Sequence, residues 1–215
     1  MIEGLKGAWL HEGKEEQLLL FVDGYFVRTV YSKSGKKFIE TSGGPYGISG
    51  NRLNVVIEFD TIDNEQTGRS LTYGFVVSGD QLTLDLKGGK IVYKKIDDGF
   101  ASLTGTWHIT SQMREGQVVP IHRTGTRKTL KVLSATRFQW VAIDPGTKEF
   151  FGTGGGIYEF INGKYTEKIE FFSKDGSRVG ASLGFDGRLE NGEWHHSGFS
   201  SKGEPVYEIW SKVNE

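Results

Sequence analysis

The sequence predicts an all-β chain of two tandem antiparallel β-barrels with about eight strands each. Three observations carry that expectation: a composition rich in glycine and aromatics, an ordered series of matches between the two halves, and short apolar runs punctuated by turn dipeptides. With 31 Gly against 4 Pro and 13% aromatic residues, the chain is suited to short strands joined by tight turns.

The internal repeat divides the chain. Leu5-Lys6-Gly7-Ala8-Trp9 is answered by Leu103-Thr104-Gly105-Thr106-Trp107 at an offset of 98. Farther along the offset is 112: Thr41-Ser42-Gly43-Gly44-Pro45-Tyr46 is answered by Thr153-Gly154-Gly155-Gly156-Ile157-Tyr158, and Val56-Ile57-Glu58-Phe59 by Lys168-Ile169-Glu170-Phe171. Val92-Tyr93-Lys94-Lys95-Ile96 matches Ile209-Trp210-Ser211-Lys212-Val213 near the end. A fixed order over many matches marks two copies of one unit. The change of offset places a 14-residue insertion in the second copy, within 111–128. That segment reads either as a tolerated surface insertion or as a loop at a barrel mouth. The polar turn Asp97-Asp98-Gly99 sets the boundary, giving units 1–98 and 99–215 that are joined tightly enough to pack together.

In the first unit, apolar runs near 5–11, 16–22, 25–31, 36–48, 53–60, 71–78, 81–86 and 90–96 predict strands. They are separated by turns such as Asp23-Gly24, Gly50-Asn51 and Gly79-Asp80. In the second, the runs lie near 103–111, 128–134, 137–143, 149–159, 164–173, 178–185, 193–199 and 205–213, with turns at Asn162-Gly163, Asp175-Gly176 and Asn191-Gly192. About eight strands with hairpin-length loops suit a closed meander, which leaves no open edge; a β-sandwich is the competing architecture.

Composition excludes several function classes. With 26 basic and 27 acidic residues the net charge is −1, which provides no field for nucleic acid. There is no cysteine, so disulfides, thiolate nucleophiles and Cys-type zinc sites are ruled out. No apolar run reaches the ~20 residues of a membrane-spanning helix, and no signal peptide is expected at the start of this sequence.

The Gly105-Thr106-Trp107 segment resembles the opening motif of lipocalins, whose tryptophan plugs one end of the barrel. Arg137-Phe138-Gln139-Trp140-Val141, Gly154-Gly155-Gly156-Ile157-Tyr158, Tyr165-Thr166-Glu167-Lys168-Ile169-Glu170 and Trp194-His195-His196-Ser197-Gly198 are similar to a bacterial lipocalin-like domain family. The likeness covers 103–213 and reaches 5–96 only through the repeat. It departs at Lys168, where the family motif often has histidine. The resemblance implies two lipocalin-like barrels and a secreted or periplasmic location. No cofactor is expected from the residues themselves, since a single strand histidine, His196, does not make a haem site.

Trp9/Trp107, Phe26/Phe138, Tyr46/Tyr158, Glu58/Glu170 and Phe59/Phe171 occur in both copies, which suits a structural frame. The second copy alone carries Trp140 opposite Arg28, Glu167 opposite Val55, Trp194 opposite Leu82, and His195-His196 opposite Thr83-Leu84. Aromatics interspersed with a few polar groups are what a small-molecule pocket needs. The expected lining is therefore Trp140, Tyr158, Glu170, Trp194 and His196 of the second barrel, around a small apolar or amphipathic molecule. The alternative use for the same residues is to fill the core.

Adjacent strand residues point to opposite faces, so His195-His196 predicts no metal chelate, and the odd spacing of Glu167 and Glu170 predicts no catalytic carboxylate pair. No nucleophile elbow, P-loop or dinucleotide fingerprint is present, and Gly154-Gly155-Gly156 reads as a barrel bend because a strand follows it. The expected function is a non-catalytic binding protein. The alternative is a protein–protein interaction or scaffold module of the cell envelope with filled barrels.

Overall fold

A computed structural model describes residues 4–122, 125–200 and 202–213. It contains two closed antiparallel barrels of eight strands in tandem. The first is a ring of β1 (Gly7–His11), β2 (Glu16–Val22), β3 (Tyr25–Ser32), β4 (Lys37–Ser49), β5 (Arg52–Val56), β7 (Ser70–Ser78), β8 (Gln81–Leu86) and β9 (Gly89–Asp97), with the short β6 (Phe59–Asp60) also on β4. Pairing of β9 with β1 closes the ring.

The second repeats it with β10 (Gly105–Arg114), β12 (Lys128–Leu133), β13 (Arg137–Asp144), β14 (Glu149–Ile161), β15 (Lys164–Phe172), β16 (Ser182–Glu190), β17 (Glu193–Phe199) and β18 (Pro205–Lys212). Pairing of β10 with β18 closes this ring.

Turn chemistry agrees with the sequence. Asp23 and Gly24, Asn162 and Gly163, and Asn191 and Gly192 all have φ between 48° and 80°, the geometry that two-residue hairpins require. Two segments differ from expectation. The run predicted as one strand over 53–60 breaks at Ile57-Glu58 into β5 and β6. In the second copy the equivalent strand stays whole, and Glu170 is the extra residue of a bulge between the pairs Gly155–Phe171 and Gly156–Ile169. The inserted segment also does more than loop: β11 (Gln117–Pro120) pairs with β10 from Ser111 to Arg114, prolonging the barrel wall at its mouth.

The continuous apolar run Leu18-Leu19-Leu20-Phe21-Val22 is explained by burial on both faces. Leu19 and Phe21 point into the first barrel, while Leu18, Leu20 and Val22 join Val27, Tyr31 and Phe59 on its outside. That outer face packs on Leu130, Val132, Val141, Ile143 and Phe171 of the second barrel, forming a core shared by the two units. Within this seam the Thr29 hydroxyl donates to Gln139 Oε1 at 2.6 Å, and Gln139 Nε2 donates to Thr41 at 3.1 Å and Thr153 at 3.0 Å. Thr41 and Thr153 donate in turn to the carbonyls of Arg28 and Trp140, so the buried hydroxyls and amide are all satisfied.

Asp97, expected in a polar hinge, is a clamp. Its carboxylate accepts from the backbone N–H of Ala8 and Gly99 and from Ser134, Ala135 and Thr136 across the junction.

Candidate functional site

Both barrels are shut at one end in the same way. The Trp9 indole donates to the Leu5 carbonyl at 2.8 Å, and the Trp107 indole to the Leu103 carbonyl at 2.9 Å. Above these plugs the two interiors diverge.

In the first barrel the depth is apolar and filled by Leu19, Phe21, Phe26, Leu53, Val55, Leu82 and Leu84. A polar layer lies over it. Arg28 donates to Glu40 Oε1 at 2.5 Å and to Gln17 Oε1 at 3.0 Å, and the Tyr93 hydroxyl donates to the same Gln17 oxygen at 3.1 Å. Burial disfavours the charge on Arg28, but the hydrogen bond and charge of Glu40 together with Tyr93 outweigh it, so the guanidinium is held charged. Burial also raises the Tyr93 hydroxyl above its ordinary value, even against the pull of Arg28. This layer borders a mouth cavity of about 780 Å³, whose walls include Leu71, Tyr73, Asp85 and Leu86. Burial and the nearby Asp60 raise the Tyr73 hydroxyl.

The second barrel inverts this arrangement. The counterpart of Arg28 is Trp140, which packs edge-on against Phe172 with ring centroids 5.6 Å apart. Gly154 admits it: a Cβ there would lie 2.7 Å from Trp140 Nε1 and 2.8 Å from the Phe172 ring. Deeper in, four inward positions that are Leu19, Val55, Leu84 and Ile91 in the first barrel become Lys131, Glu167, His196 and Glu208. Lys131 Nζ lies 2.8 Å from Glu167 Oε1, which also accepts from the Tyr165 hydroxyl at 2.9 Å. Rings of Phe138, Tyr165, Trp194 and Trp210 surround the ammonium at 5.1–5.8 Å.

His196 Nδ1 is 3.4 Å from Glu208 Oε2, too poorly directed for a hydrogen bond, so both ring nitrogens lack one. Burial first, then the Lys131 ammonium, hold His196 below the ordinary imidazole range. Burial raises Glu208, but contacts with His196, Lys131 and Trp210 outweigh it, leaving Glu208 the anion and His196 the neutral partner.

The residues expected to line a pocket are only partly brought together. Trp194 and His196 are neighbours inside the barrel, with ring centroids 5.2 Å apart. Tyr158 meets them through Tyr165, 5.5 Å away, and gives its hydroxyl to the Ser134 carbonyl at 2.6 Å; burial raises that hydroxyl. Trp140 lies at the mouth.

Glu170 stands apart at the seam. Its oxygens accept from Arg137 at 2.7 Å, Lys33 at 2.7 Å and Tyr31 at 3.1 Å, two of them from the other barrel. His195 points away from His196, toward Tyr207 at 3.0 Å. Among the described residues no group of three or more His, Asp or Glu is arranged to hold a metal ion.

Sequence reading passed over Lys131, Glu208, Gln17 and Tyr93. The first two were detectable by extending the copy-to-copy comparison to inward positions. Gln17 and Tyr93 carry no such signal, because their role depends on Arg28 reaching them across the barrel.

No protein-family model matches this chain, and no curated protein matches it.

Proposed function

We propose that the chain is a non-catalytic, lipocalin-like binding protein that holds a small, partly apolar molecule in the mouth of its first barrel. The observation carrying this reading is the cavity of about 780 Å³, a volume in the range of small-molecule sites. Leu71, Tyr73 and Leu86 offer apolar contact, and the Arg28–Glu40 pair offers orientation. The sequence directed attention to the second barrel, but its interior is occupied by Trp107, Trp194, Trp210, Tyr165 and Phe185. That filling favours a second reading for this half alone, as a scaffold or interaction module.

The test is native against denaturing mass spectrometry of the purified chain, followed by titration with the fluorescent probe anilinonaphthalene sulfonate. Probe binding that Arg28→Trp abolishes supports the first-barrel site. A chain that carries no molecule and binds no probe leaves the scaffold reading.

A further inference from the structure

The first barrel closes with leucine, valine, leucine and isoleucine at the positions where the second has Lys131, Glu167, His196 and Glu208. The architecture therefore does not need these charges, and burying them is costly. We propose that the second barrel is an acid-sensitive element, in which protonation of His196 loosens β16–β18 while β7–β9 of the first barrel, with Leu84 at the same position, stay paired.

The geometry around His196 leaves an imidazolium poorly served. Phe185 lies 4.2 Å from it, Trp194 5.2 Å and Tyr165 5.5 Å, ring centre to ring centre. From β12 it faces the Lys131 ammonium, from β15 Glu167 and Tyr165, and from β18 Glu208. β16 contributes Phe185 and Gly187, which carry no charge. Glu167 Oε1 is already taken by Lys131 and Tyr165. Glu208 Oε2 accepts from the Trp210 indole at 3.0 Å, and its side chain is 27% exposed, which weakens its hold on a buried charge. Glu208 Oε2, 3.4 Å from Nδ1, can serve one side of a protonated His196, but the Nε2–H on the other side is buried with no acceptor unless the ring leaves its place among the aromatics. That movement disturbs β17 and β18 where they pair, at His196 opposite Glu208.

The sign follows from linkage. The folded barrel favours neutral imidazole, whereas in the unfolded chain His196 titrates near the ordinary value of about 6.5. Above that pH the group contributes no penalty. As the pH falls below it toward the folded value, the opening equilibrium rises by up to about tenfold per pH unit.

The experiment is hydrogen exchange of the full chain at pH 7.5 and 5.5, corrected for the intrinsic rate and read by peptide. Protection in β16–β18 should fall at the lower pH, by up to about tenfold, with the equivalent β7–β9 unchanged. His196→Leu should remove that difference. Equal losses in both barrels, or an undiminished loss in His196→Leu, would overturn the proposal. Should the variant fold poorly, an imidazole titration of the native chain by NMR decides it. A His196 midpoint below 6.5, or none before unfolding, supports the proposal, and a midpoint at or above 6.5 sinks it.

Discussion

Arg28 on β3 and Trp140 on β13 hold the same inward position of the two barrels, and one borders an open mouth where the other fills it. Trp140→Ala should therefore open a cavity in the second barrel and destabilise the chain by about 2–4 kcal/mol, less than for a fully buried tryptophan at the upper end. Urea unfolding gives the energy, and probe fluorescence reports the new cavity. Unchanged probe binding would mean that neighbours collapse into the space.

Gly187 and Trp194 form a second exchange. The first barrel has Phe75 and Leu82 there, and a Cβ at Gly187 would lie 2.9 Å from the Phe160 ring and 3.2 Å from Trp194 Nε1. Gly187→Phe alone should be destabilising by about 1–3 kcal/mol or more through overpacking. Paired with Trp194→Leu it should recover much of the loss, giving a coupling energy above about 1 kcal/mol in a double-mutant cycle.

The pair Lys131–Glu167 is buried, so removing one partner strands the other. Lys131→Leu should cost about 3–5 kcal/mol. The triple change Lys131→Leu, Glu167→Val and Tyr165→Phe removes the charges and the hydroxyl that serves them, and should regain most of that stability. A triple variant as unstable as the single one would show that the pair is needed for packing.

Glu170 was grouped by sequence with the pocket residues, yet it binds Arg137 of its own barrel and Tyr31 and Lys33 of the other. Glu170→Gln should cost about 2 kcal/mol, the scale of a buried charge-assisted hydrogen bond; exposed Lys33 adds little. Probe binding at the first mouth should not change, and a loss of binding would argue for a ligand role after all.

Tyr25 and Tyr165 are held well above the ordinary phenol value, chiefly by burial and then by Glu58 and Glu167. Burial and the charge of Asp23 raise Tyr46 to about 12. Because the folded values exceed the unfolded one, the stability they contribute is full below about pH 10 and lost as the pH climbs beyond it. Phenolate absorbance should show Tyr25 and Tyr165 ionising only with unfolding; ionisation near pH 10 in folded protein would contradict their burial.

The frame was legible because it rests on local chemistry. Asp23-Gly24, Asn162-Gly163 and Asn191-Gly192 announce hairpins by the backbone angles they tolerate, and the Trp9 and Trp107 segments announce the repeat. The site was legible only in part. Comparing the copies exposed Trp140, Glu167, Trp194 and His196, but Lys131 reads as an ordinary exposed lysine until its strand is known to face the barrel interior. Glu170 was legible and overlooked: it stands three residues after inward Glu167, so ordinary alternation already turns it outward, and the bulge at Gly155 and Gly156 instead carries Phe171 out to the seam beside it.

By itself the sequence determined two copies of one antiparallel β unit and favoured a barrel over a sandwich, since strand period, turn residues and repeat register are encoded residue by residue; the pairings of β1 with β9 and β10 with β18 decided closure. Only the tertiary structure decided which face of each strand meets the other barrel, that the first mouth is open, and that the second interior gathers a lysine, two glutamates and a histidine. Those outcomes depend on strands far apart in the chain converging across a ring, and on the bulges that reset which way a side chain points.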